Sequence, residues 1–118
     1  MIHGRVFFTD IPGYRLQFRA DMDRLHGDCY FSVRVMKGPF DDQLCWPCKE
    51  KFKICVLDTK SRPDPNYEWI IPSSGIWKTP LRKVVNKGDH VHSEWIGPFD
   101  TSHFITRNTF KLQVSVIS

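Results

Sequence analysis

No run in this sequence approaches the ~18 apolar residues of a membrane-crossing helix, and no charged-then-apolar leader opens it. A cytoplasmic location without membrane insertion is the expectation. Charge of one sign is never concentrated either. Seventeen Lys and Arg against thirteen Asp and Glu give a net charge of +4. The cations are scattered from Arg5 to Lys111 without a dense block. Nucleic-acid binding draws on a basic patch with interleaved aromatics, so no nucleic-acid partner is expected. A nucleophile elbow and the phosphate-cradling glycine loops are missing too. Nothing therefore points to an enzyme, and no cofactor is expected. Internal repeats, low-complexity segments and long stretches of helical periodicity are absent as well.

What remains is a 118-residue chain, 41% hydrophobic and 14% aromatic. That length supports one domain with one modest core, residues 1–118, and the aromatic content suits sheets. Arg5 to Thr9 reads as a short strand and Asp10 to Gly13 as a turn. From Tyr14 to Asp21 the residues alternate: Tyr14, Leu16, Phe18 and Ala20 face one way, Arg15, Gln17, Arg19 and Asp21 the other. Met22 to Asp28 reads as a hairpin loop. Cys29 to Met36 then alternates again, with Cys29, Phe31, Val33 and Val35 inward and Tyr30, Ser32 and Arg34 outward. Val33 to Pro47 combines a strand end, a break at Gly38-Pro39, an acidic bend and an apolar plug, Leu44 and Trp46.

Further along, Lys51 to Leu57 puts Phe52, Ile54 and Val56 on one face. Asp58 to Asn66 reads as a loop because its prolines oppose a central strand. Tyr67 to Ile71 is a strand, Pro72 to Pro80 is irregular, and Leu81 to His92 fits a helical turn or a short strand equally well. Glu94 to Phe99 and Thr109 to Val116 complete the strands. Short strands with one apolar face each bury themselves as two packed sheets. The expected fold is all-β, an antiparallel β-sandwich of seven to eight strands.

Cys45-Trp-Pro-Cys48 has the C-x-x-C spacing of redox dithiols and half a zinc knuckle. A redox dithiol needs a helix N-terminus to lower a thiol pKa, and a structural zinc needs two more ligands. Reduced thiols packed beside Trp46 are the alternative. His90 and His92 share a strand face without an evident third ligand, so no metal is expected there. The outward residues Arg15, Arg19, Asp21, Tyr30, Ser32 and Arg34 could form a docking surface beside a sheet edge, where a partner segment adds as a strand.

Several motifs together resemble the C-terminal (MATH) domain of TRAF proteins, the tumour-necrosis-factor-receptor-associated adaptors. The Met36-Lys-Gly38 to Trp46-Pro47 run is similar to the family's M-K-G, D, L-x-W-P-F segment. Val6 to Thr9 with Gly13 to Leu16, Phe18-Arg19, Phe52 to Asp58, Gly97-Pro98-Phe99 and Asn108 to Val116 resemble further family segments in order. The resemblance implies a sandwich that binds receptor-tail or adaptor peptides at a sheet edge without being an enzyme. It also implies homotrimers and a RING ubiquitin-ligase domain in a longer parent protein. A substrate-receptor MATH domain of a ubiquitin ligase, or a zinc- or thiol-dependent protein using Cys45 and Cys48, are the alternatives.

The family's first strand has no counterpart ahead of Gly4, which points to a fragment and leaves the final strand short of a neighbour. Cys48 stands where the family has Phe. The peptide-binding set implied by the resemblance is Arg19, Asp21, Ser32, Trp69, Ser73, Ser74, Trp77 and Gly97. Arg19 falls on the family's groove arginine, whereas Asp21 and Ser32 replace aromatics. Ser73-Ser74-Gly75 ahead of Trp77 echoes a serine triplet before Phe. The more polar groove predicts a partner with acidic or hydrogen-bonding side chains.

Overall fold

Alternation of apolar and polar residues sets the strands. The computed structural model describes residues 1–23, 25–57, 63–101 and 111–117. Eight strands follow in order: β1 (Ile2–Phe8), β2 (Arg15–Asp23), β3 (Asp28–Met36), β4 (Lys51–Leu57), β5 (Pro63–Ile71), β6 (His90–His92), β7 (Ile96–Asp100) and β8 (Lys111–Ile117). Among the described residues the only helical element is a 3-10 turn at Asp41–Gln43. Every strand pairing is antiparallel. One sheet runs β1-β2-β3-β6 with β7 also paired to β3, and the other runs β5-β4-β8. The chain therefore forms the expected antiparallel sandwich.

The inward residues meet between the layers. Leu16, Val33 and Val35 from one sheet and Phe52, Ile54 and Ile71 from the other are fully buried. Phe52 is the central plug, edge-on to Phe18 at 5.0 Å and to Phe7 at 6.4 Å between ring centroids. Trp77 closes the same region, its indole N–H donating to the Glu50 carbonyl at 2.9 Å.

The Gly38-to-Trp46 run locks one end of the sandwich. The buried Asp41 carboxylate accepts the Gly38 N–H at 2.9 Å, and the Trp46 indole donates to the Asp41 carbonyl at 2.9 Å. Trp46 packs edge-on to Tyr14, with centroids 4.9 Å apart, and the Tyr14 hydroxyl donates to the Cys45 carbonyl. Burial in this corner, with Cys48, Cys45 and Glu50 nearby, raises the Tyr14 pKa to about 12.

The structure corrects several expected boundaries. β1 starts at Ile2 rather than Arg5, because Ile2 and His3 continue the ladder opposite Ala20 and Arg19. The Met22-to-Asp28 loop shrinks, since pairing continues to Asp23 opposite Asp28. The Asp58-to-Asn66 loop ends early, with β5 beginning at Pro63. The prolines are tolerated because β5 is an edge strand, where a missing N–H leaves no neighbour unpaired. From Leu81 to His92 neither a helix nor a full strand forms: Leu81 bridges to Cys48 and only His90–His92 is extended and paired. Ser32 points outward as its parity requires, yet it is fully buried. Thr109 and Phe110, expected to open the last strand, lie outside the described residues. β8 pairs with β4, and among the described residues nothing pairs with its other edge.

Phe52→Ala should lower unfolding stability by about 3–5 kcal/mol in urea titration, because it empties a site with no exposure. Phe8→Ala, at a ring 41% exposed, should cost about 1 kcal/mol or less. Equal losses would contradict this placement of the core.

Candidate functional site

β6 and β7 share one flank of β3 without joining. β7 pairs with β3 from Asp28 to Phe31, and β6 pairs with it from Arg34 to Met36. Ser93 fills the gap. Its N–H donates to the Val33 carbonyl and its hydroxyl accepts the Val33 N–H, each at 2.8 Å. The Ser32 hydroxyl lies 3.2 Å from the Ser93 carbonyl, which accepts from it.

Over this seam lies Arg19 of β2. Its guanidinium donates to the Ser32 hydroxyl at 2.8 Å and stacks over the Trp95 ring at 4.8 Å. A cation above an indole face is attracted by the ring quadrupole, so Arg19 is held from both sides. Arg34, one rung along, donates to Gln17 at 3.1 Å. The Nε atoms of Arg19 and Arg34 are both buried with no partner among the described residues. Desolvation, then the Arg34 charge, lowers the Arg19 pKa. His92, opposite Arg34, is pushed below the ordinary histidine value first by burial and then by Arg19, Arg34 and His90.

The residues expected in the peptide site are dispersed around this seam. Arg19 and Ser32 come together. Asp21 sits two residues along β2, opposite Tyr30. Gly97 backs onto β3: a Cβ there would lie 2.8 Å from the Cys29 carbonyl and 2.9 Å from the Tyr30 ring. Its φ of 152° is also one that residues with side chains rarely adopt. Trp69 lies between the sheets at that end, 5.1 Å from Phe99 and 6.3 Å from Phe31. Ser73 and Ser74 occupy the exposed turn after β5, where Ser74 bonds back to Ile76. Trp77 is buried against Phe52 rather than presented at the surface. The residue not anticipated is Trp95. It lies just ahead of β7, outside any strand, so no alternation in the sequence marked it.

The thiols are arranged differently from a redox or metal pair. Cys48 is buried and Cys45 exposed, and burial raises the Cys48 pKa to about 11. A redox dithiol requires the opposite shift. Among the described residues no group of three His, Cys, Asp or Glu side chains converges as a metal site. His90 and His92 do share a face, with ring centroids 6.2 Å apart.

The sequence profile of the TRAF/meprin, MATH domain family matches residues 1–110. TNF receptor-associated factor 6 of Danio rerio is 33% identical over 63 residues, 49% of this chain and 12% of that protein. The match thus covers a small part of that relative's length. No helix among the described residues is long and apolar enough to cross a membrane.

Ser93→Ala should cost about 1–3 kcal/mol in a chemical denaturation series, because the Val33 N–H is left buried and unpaired. A neutral result would mean that water replaces the hydroxyl. NMR titration should place the His92 pKa below the ordinary histidine value, and Arg34→Gln should raise it only part of the way back, since burial is the larger cause. The sign for stability follows. A folded imidazole that resists protonation destabilises the fold as pH falls through the unfolded value.

Proposed function

The chain belongs to the TRAF/meprin, MATH domain family, and on that premise we propose that residues 1–118 form a single peptide-recognition domain of a cytoplasmic signalling adaptor. MATH domains are protein-interaction modules, and catalysis has no part in this reading. The occupant is an extended peptide that adds as a strand at the sheet edge beside β7, which pairs with β3 alone among the described strands. The relative's name records association with a TNF receptor, and a receptor-tail or adaptor peptide is the corresponding ligand here. Main-chain hydrogen bonds supply affinity along the edge, and side-chain contacts select the sequence.

The observation that carries the proposal is Arg19. It is fixed between Ser32 and Trp95 beside the edge strand, with a buried N–H left unpartnered. A carboxylate or amide of the peptide would accept from the accessible N–H groups of that guanidinium, and a charge-assisted bond is roughly twice as strong as a neutral one. Asp21 at the same end would reject a second acidic residue placed beside it. Ser73 and Ser74 offer hydroxyls on the exposed turn after β5, and Gly97 lets β7 press close against β3 beneath the peptide. Homotrimers in a longer parent chain would multiply a weak single-site affinity.

An array of acidic and amide-bearing receptor-tail peptides tests this reading. Arg19→Ala should weaken the best binders by about tenfold or more, the size expected for losing a bond to a charged group. Unchanged affinities across the array would remove its basis.

A further inference from the structure

The same sheet carries a second feature at the opposite end of β3. Met36 pairs with Arg15 of β2 on one flank and with His90 of β6 on the other, so these three side chains neighbour one another on the outer face. The segment after β3 and the turn before β6 rise beside them and border an open pocket of about 460 Å³. Gly88, at φ 94°, shapes that turn, with the Asp89 N–H donating to the Asn86 carbonyl at 3.1 Å.

The pocket's charge is strongly biased. Arg15, Lys37 and Lys87 line it against the carboxylate of Asp89, with the buried Asp41 carboxylate behind Gly38, so cations outnumber carboxylates. The Arg15 guanidinium donates to the Lys37 carbonyl at 3.2 Å, which fixes it at the rim, and the Lys37 ammonium reaches the Val85 carbonyl at 3.3 Å. Neither Lys87 nor Asp89 forms a side-chain hydrogen bond or ion pair with a described residue. The floor is apolar: Met36, Pro39 and the lysine stems.

We propose that this pocket binds a phosphate monoester carried on a short apolar body. A phosphate monoester brings about 1.5 to 2 negative charges and three acceptor oxygens at neutral pH, enough to engage the Arg15 fork and the Lys87 ammonium together, whereas a carboxylate brings one charge and two oxygens. A bare phosphate would leave most of the volume empty, and ligand pockets typically span roughly 300–1,000 Å³. The apolar body lies on Met36 and Pro39 while the phosphate oxygens take the Arg15 fork and the Lys87 ammonium. This site is separate from the Arg19 seam: Ser32 and Met36 stand roughly 13 Å apart along an extended strand. It does not depend on peptide binding at β7.

Titration of the isotope-labelled 118-residue chain with phenyl phosphate, followed by NMR, tests the assignment. Saturable shifts are expected at the Gly38, Gly88 and Asp89 amides, with benzoate and inorganic phosphate each binding about tenfold more weakly. Lys87→Gln, at an exposed position that leaves the fold intact, should weaken phenyl phosphate about three- to tenfold. Arg15→Gln should do the same, and Arg19→Gln should not. A phosphotyrosyl peptide that binds tighter than phenyl phosphate identifies a modified partner as the source, and equal binding identifies a small molecule. The proposal is overturned by shifts that never saturate, by benzoate binding as tightly, by indifference to Lys87→Gln, or by shifts centred on Trp95.

Discussion

The structure depends on keeping β3 paired along both of its flanks. On one side β2 runs the whole length of the strand. On the other, two short strands share the work and leave a gap at Ser32 and Val33. An unpaired N–H there would sit beside fully buried residues, and an orphaned buried donor costs about 1–3 kcal/mol. Ser93 removes that cost by presenting a hydroxyl where a neighbouring strand would present a carbonyl. A side chain thus completes a backbone ladder, and β6 is free to part from β7 without weakening the strand that both of them cover.

That break has consequences for the surface. Past Ser93 the chain leaves the sheet for two residues before it pairs again at Ile96. Trp95 swings out at this point and covers the guanidinium of Arg19. Glu94 turns the other way and accepts the Lys78 N–H at 2.6 Å, tying down the segment that follows Trp77. The irregularity that a continuous strand would lack is what places a cation, a hydroxyl and an indole together beside an edge.

Much of the fold was written in period-two patterns. Leu16, Phe18, Phe31, Val33, Phe52 and Ile54 face the core as their parity demands, because one-sided burial and pleat geometry leave no other solution. Less was legible where the partner is remote in sequence. Ser32 reads as an outward residue available to a partner, yet Ser93, 61 positions away, and Arg19 of the next strand already engage its hydroxyl. The prolines of β5 looked like loop residues because their edge position is a property of sheet order, which no local pattern carries. For the site, the outward cations could be read, whereas Trp77 gave the same aromatic signal whether it plugged the core or lined a groove.

The distribution of unpaired charge along β3 separates two kinds of recognition. Near Ser32 the Arg19 cation is partly desolvated, held by an aromatic ring and flanked by Arg34, and Asp21 stands close by. That environment favours one well-placed acceptor over a density of charge. Near Met36 the cations come from three separate segments, keep their mobile ends in water and outnumber the carboxylates. Exposed charges attract by number and are screened by salt, whereas a desolvated arginine acts through geometry. The two ends of one strand therefore answer to different ligands. The constraint that divides them is the same Ser93 seam that holds the sheet together.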